Sequence, residues 1–134
     1  MTQTTLSAPE HPAISPLEQY RIFLARGELA YQVDEAGQAL FYPRAVAPAG
    51  YRGALRWVTS RGFGTVYATT FIAPKGELAY NVALIDMDEG FRLMSRVESI
   101  PVDEVRIGMR VKVRVCPAEG DEEPYPVFDP VEGA

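Results

Sequence analysis

The stretch from Trp57 to Ile72, WVTSRGFGTVYATTFI, constrains the fold more than any other part of the chain. Thr65, Val66, Tyr67, Thr69, Thr70, Phe71 and Ile72 are β-branched or aromatic residues that suit a pleated, half-buried surface, so a long strand is expected there. Gly62 and Gly64 precede it, and glycine within a strand pattern marks a bulge, a tight corner or a close approach to the backbone. Bent strands let a small sheet curl, which predicts a closed or nearly closed antiparallel barrel in which Leu55–Ile72 is one bent strand.

A chain of 134 residues is long enough for one ordinary domain with a small appendage. No apolar run approaches the ~20 residues of a membrane-spanning helix, and no basic-then-apolar leader opens the chain, so a cytoplasmic protein is expected. Cys116 is the only cysteine, which agrees with a reducing compartment. Charge is unevenly spread. Residues 39–118 carry eleven Lys or Arg against seven Asp or Glu, a balance of +4, whereas Glu119 onward holds six acids and no base. A mildly basic barrel with an acidic tail is compatible with an anionic ligand although the net charge is -5.

Residues 1–14 have no periodicity and read as a flexible arm. Ser15 then supplies an N-cap, Pro16 suits the first helical position, and Glu18 completes an S-x-x-E capping box. Leu17, Tyr20, Phe23 and Leu24 recur at helical spacing, and Gly27 gives a left-handed stop, so a helix is predicted over about residues 16–26. Glu28–Val33 and Gln38–Tyr42 form a hairpin around Asp34-Glu35-Ala36-Gly37, ended by Pro43. After a Pro/Gly/Ala-rich loop come Leu55–Ile72, a turn at Pro74-Lys75-Gly76, Tyr80–Met87, a tight turn at Asp88-Glu89-Gly90, Phe91–Val97, and a helical turn at Val102–Val105. Arg110–Cys116 alternates Val111, Val113 and Val115 with Lys112, Arg114 and Cys116, the cleanest period-2 signal in the chain. Pro126–Phe128 adds a short edge. The fold class is therefore mainly β: an OB-fold-like antiparallel barrel over residues 54–129, preceded by a helix and hairpin over 15–53 and followed by a tail from 130.

The order of helix, short hairpin, FYPR, W-x4-G-x-G-T-V-Y, VALIDMDEGFRL and IGMRVKV resembles the DUF35 family of OB-fold proteins, over about residues 16–129. The resemblance implies an N-terminal helix and a rubredoxin-like zinc ribbon before the barrel. It also implies work beside thiolases or MaoC-type hydratases on acyl-CoA. The family's four zinc cysteines, spaced C-x2-C, ten residues, C-x2-C, would fall on Val33, Ala36, Ala47 and Gly50. Structural zinc needs about four Cys or His ligands, and the chain holds only Cys116 and His11. A ribbon-shaped hairpin without zinc is expected, ordered by packing of Leu29, Tyr31, Val33, Leu40 and Tyr42 on the helix or barrel.

Catalytic residues are not expected. His11 lies alone in the arm, Cys116 has no orienting histidine, and the Asp86, Asp88 and Glu89 cluster reads as turn chemistry. No phosphate-binding glycine loop is present, since R-G-F-G-T opens a strand rather than a helix. Binding has two candidate forms. As an acyl-CoA-associated subunit without a cofactor of its own, the chain would use Arg44, Arg56, Arg61 and Arg96 for CoA phosphates and Trp57, Phe63 or Tyr67 for apolar or stacking contact. A single-stranded nucleic-acid OB module would use the same aromatics as base platforms, but a balance of +4 lacks the dense cationic stripe of such a groove. Either way the bland alternative is that the arginines are solvated and the aromatics are core. Tyr31, Phe41, Tyr42 and Arg44 on the hairpin are the candidates for contact with a thiolase-like or hydratase-like partner.

Overall fold

The structure, a computed structural model, describes residues 14–120 and 122–131. The expected flexible arm with His11 and the end of the tail lie outside the described residues. Helix α1 spans Pro16–Ala25. The Ser15 hydroxyl accepts the Glu18 N–H at 3.1 Å, while the Glu18 carboxylate turns to Arg21 rather than back to the cap. At the far end Gly27 adopts φ +83°, its N–H reaches the Leu24 carbonyl at 2.8 Å and the Glu28 N–H reaches Phe23 at 3.0 Å, the two bonds of a Schellman stop.

Two antiparallel sheets follow. The smaller has the order β2-β1-β3, with β1 at Ala30–Val33, β2 at Ala39–Leu40 and β3 at Arg56–Thr59. The larger has the order β6-β5-β4-β7-β8, with β4 at Phe63–Ile72, β5 at Tyr80–Met87, β6 at Arg92–Ser95, β7 at Arg110–Cys116 and β8 at Tyr125–Pro130. Val102–Glu104 forms a 3-10 turn between β6 and β7. The sheet curls until its edges meet at one parallel bridge, Val97 to Phe128. There the Phe128 N–H bonds Arg96 at 3.0 Å and the Glu98 N–H bonds Phe128 at 2.7 Å. Closure is thus by a bridge rather than a full ladder, and the architecture is OB-like.

The expected single bent strand Leu55–Ile72 is in fact two strands in two sheets. Arg56–Thr59 pairs with the hairpin strand β1, and only Phe63 onward joins the barrel. Gly62 is the switch point: it takes φ +92°, and an added Cβ would meet Val113 Cγ1 at 2.7 Å. Gly64 serves space rather than bending, since a Cβ there would lie 2.8 Å from the Asp86 carbonyl oxygen and 2.8 Å from Ile85 Cγ2. The bulge itself falls further along, between Val66 and Ala68.

One main core joins hairpin and barrel. Leu24, Leu29, Tyr31 and Val33 pack with Val66, Ile85, Met87, Phe91, Leu93, Val97, Val111 and Phe128. An aromatic file runs through it: Tyr20 meets Phe41 edge-on at 5.6 Å, Phe41 stacks on Phe91 at 5.2 Å, and Phe91 stacks on Tyr31 at 4.6 Å. Burial pushes the Tyr20 phenol up to about 12, with Tyr42 adding to the shift.

Leu29, Tyr31 and Val33 order the hairpin as expected, but Tyr42 does not, since it is 75% exposed. Polar clamps supply the remainder. The Gln32 side chain donates to the Arg44 carbonyl at 2.8 Å and accepts the Arg44 N–H at 2.9 Å, and the Tyr51 hydroxyl donates to the Ala39 carbonyl. Asp34, 1% exposed, accepts three backbone N–H groups, from Ala36 (3.0 Å), Gln38 (2.8 Å) and Arg52 (2.8 Å). Its burial raises the pKa, but the N–H groups of Arg52, Gln38 and Ala36 outweigh that and hold the acid below the usual carboxylate range.

Candidate functional site

The hairpin places its four partner-contact candidates in two groups. Tyr31 is buried and Phe41 half-buried in the aromatic file, where they join hairpin to barrel. Tyr42 and Arg44 point outward. Tyr42 also takes φ +83°, a costly conformation for a residue with a side chain, and it does so with its ring in solvent. The sequence gives no cue to that strain, because tyrosine is not a left-handed residue by preference.

Tyr42 borders a groove of about 400 Å³ between α1, the hairpin and the approach to β8. Leu17, Leu93, Met94, Tyr125 and Pro126 line it with Tyr20 and Phe41. Leu17 is 46% exposed and Met94 70%, so apolar surface lies open on both walls. Sequence reasoning did not find Leu17, Met94 or Tyr125. They come from three distant segments, and only the Val97–Phe128 closure brings β6 and β8 together.

The anion-binding candidates separate as well. Trp57 is buried at 8% against Phe23 and Ala30, its ring 5.4 Å from Phe23 and its Nε1–H donated to Gln19 at 2.7 Å, so it offers no open face to a ligand. Arg96 is drawn off by an ion pair with Glu98 at 2.9 Å and lies over the Tyr125 ring, near the barrel closure. Arg44 sits on the hairpin loop, away from the others in sequence. Burial pushes the Tyr31 phenol up and Glu89 pushes it further, while Arg56 and Arg61 each act in the opposite direction. Glu89 closes this corner by accepting the Ser60 hydroxyl at 2.9 Å and the Arg61 N–H at 2.8 Å.

Phe63 and Tyr67 lie beside a row of charges on the outer strand face. Lys112 lies 5.1 Å from the Phe63 ring, and Arg92 covers the Tyr67 ring at 3.6 Å while pairing with Asp86. Arg110 grips Asp88 through two bonds of 2.8 and 2.9 Å, and these hydrogen bonds hold Asp88 below its ordinary pKa. Arg92 on β6 and Arg110 and Lys112 on β7 meet Asp86, Asp88 and the β4 rings across neighbouring strands, which makes this face a mixed-charge surface. Such a face holds few uncompensated cations.

No group of three or more His, Cys, Asp or Glu is placed to hold a metal among the described residues. Val33, Ala36, Ala47 and Gly50, the positions at which the resemblance would put zinc ligands, carry no side chain that can ligate zinc. The neighbouring Asp34 instead binds backbone N–H groups from both loops.

Residues 57–116 match the family described as ChsH2, C-terminal OB-fold domain. A solved structure entitled "Ltp2-ChsH2(DUF35) aldolase" contains a chain that is 28% identical to this one, superposes with a TM-score of 0.74, and is matched over 90% of this chain and 98% of its own length. The chain is similar in sequence and fold to DUF35 OB-fold proteins. No curated protein matches it in sequence. Among the described residues the OB-like barrel is preceded by a hairpin whose loops are tied by the Asp34 carboxylate.

Proposed function

We propose that this chain is an accessory, non-catalytic OB-fold subunit that docks on a thiolase-like enzyme, or on a MaoC-type hydratase, in acyl-CoA metabolism. The observation that carries the reading is the likeness over nearly the full length of both chains to the DUF35 chain of a structure titled an Ltp2-ChsH2 aldolase. The open groove beside Tyr42 supports it, because exposed aromatic, Met and Arg side chains are the types that anchor protein interfaces.

In this reading Tyr42 and Arg44 make the contact with Leu17, Met94 and Tyr125 as neighbours, while Tyr31 and Phe41 hold the hairpin in place behind them. Arg56, Arg61, Phe63 and Tyr67 lie toward the enzyme's CoA channel, with Lys112 as a further cation. Trp57 acts as core and Arg96 as a closure residue. A nucleic-acid role draws less support, since Arg92 covers the Tyr67 ring and the β7–β8 loop carries Glu119, Glu122 and Glu123.

Turnover of acyl-CoA substrate by a candidate thiolase-like or MaoC-type enzyme of the same cell, assayed with and without this chain, tests the proposal. The chain alone is expected to turn over nothing, and the enzyme to gain activity when it is added. Equal activity in both assays argues against an accessory role.

A further inference from the structure

The barrel leaves one strand edge open. β4 pairs with β5 along its whole length, but with β7 only through Phe63, Gly64 and Thr65. The Val66 N–H and carbonyl make the last bonds on that side, to Met109 and Gly108. From Tyr67 to Ile72, no backbone hydrogen bond leaves that edge among the described residues. The other side of the projecting arm is guarded: the buried Asn81 side chain donates to the Val97 carbonyl at 2.8 Å and accepts the Val97 N–H at 2.9 Å, standing in for a strand neighbour.

Natural sheets blunt free edges with charges, prolines or short length. The small sheet follows this rule, with a two-residue β2 and Arg56 on β3. The β4 edge does not, for Tyr67-Ala68-Thr69-Thr70-Phe71-Ile72 has no charge, no proline and no glycine. Tyr67 and Phe71 are each 50% exposed.

We propose that this edge pairs with the same edge of a second copy, giving a two-fold antiparallel dimer centred on Thr70. With Thr70 facing its own copy, Ala68 faces Ile72 and Thr69 faces Phe71 on either side, so the segment is complementary to itself in side-chain type. The ends fit too. Beyond Ile72 the arm carries Lys75, Glu77 and the 91% exposed Leu78, and beside Val66 lies the loop with Asp103, Arg106 and the 70% exposed Ile107. None of these four charged groups makes an ion pair within its own chain among the described residues. An antiparallel pairing carries each arm tip toward the other copy's loop, so that Lys75, Glu77 and Leu78 approach a segment that offers Asp103, Glu104, Arg106 and Ile107.

The proposal stands apart from the enzyme partner above and concerns a different edge. Light scattering behind size exclusion on the full chain at micromolar concentration is expected to give twice the chain mass of 14.8 kDa. The exposed substitution Thr70→Lys is expected to give a folded monomer with an unchanged circular dichroism spectrum. In a Cys116→Ser background, Thr70→Cys is expected to form a disulfide-linked dimer under mild oxidation. A monomeric wild type that yields no such crosslink overturns the proposal. So does a monomer whose binding to the enzyme partner is lost in Thr70→Lys, which would assign the edge to that partner's strand.

Discussion

The Asp34 carboxylate accepts the Arg52 N–H at 2.8 Å, joining two hairpin loops that are 18 residues apart. Its other oxygen takes the N–H groups of Ala36 and Gln38 within the first loop. In a zinc ribbon the metal makes the corresponding connection, and bound metal contributes folding energy outright. Three charge-assisted bonds to a nearly buried carboxylate hold these loops without one. Asp34→Ala leaves those N–H groups without their acceptor and is expected to lower the melting temperature by roughly 5 °C or more. An unchanged melt would show that packing of Leu29, Tyr31 and Val33 suffices. Atomic emission on the purified chain is expected to find no stoichiometric zinc.

The same carboxylate gives a pH signature. Its folded pKa lies below the unfolded value, so its stabilisation is fully present above about pH 4 and disappears as pH falls through the folded pKa. Asp88, held down by Arg110, and Asp129, held down by Arg114, act in the same direction. Thermal melts of the wild type and Asp34→Asn should therefore differ most near neutrality and converge in acid. A gap that widens on acidification would contradict this sign.

Gly64 tests the packing of β4 against β5. Because the Cβ of a substituted residue meets a backbone carbonyl at 2.8 Å, Gly64→Val is expected to cost roughly 1–3 kcal/mol in chemical unfolding. A smaller cost would mean the strands separate without loss.

Asn81 tests the barrel's edge. Its side chain satisfies both polar groups of Val97, and Asn81→Leu leaves them buried and unpaired, at a cost of about 1–3 kcal/mol. Hydrogen exchange at the Val97 amide should rise in the variant, whereas unchanged protection would place its partner elsewhere.

Much of this fold was legible because it is local. β7 has the limits that alternation predicts and β5 those that its flanking turns predict, Ser15 and Gly27 bound the helix, and Gly90 turns the hairpin into β6. What the sequence hid is long-range. Trp57 reads as a ligand platform because its strand leads into the barrel, yet β3 pairs with β1 and delivers the indole to Phe23 and Gln19. Asp34 reads as an ordinary turn residue, since its decisive bond reaches a loop whose position no periodicity encodes. The groove beside Tyr42 was half visible: Tyr42 and Arg44 could be named as contact candidates on the hairpin, but Leu17, Met94 and Tyr125 meet Tyr42 only through the folded barrel.

Size-exclusion chromatography of this chain co-expressed with a candidate thiolase-like or hydratase-like enzyme of the same cell tests the central claim most directly. The account predicts co-elution of the two wild-type proteins at micromolar concentration, and loss of co-elution in the Tyr42→Ala, Arg44→Ala variant with its melting temperature preserved. Separate elution of the wild-type proteins from both candidate enzymes would contradict it.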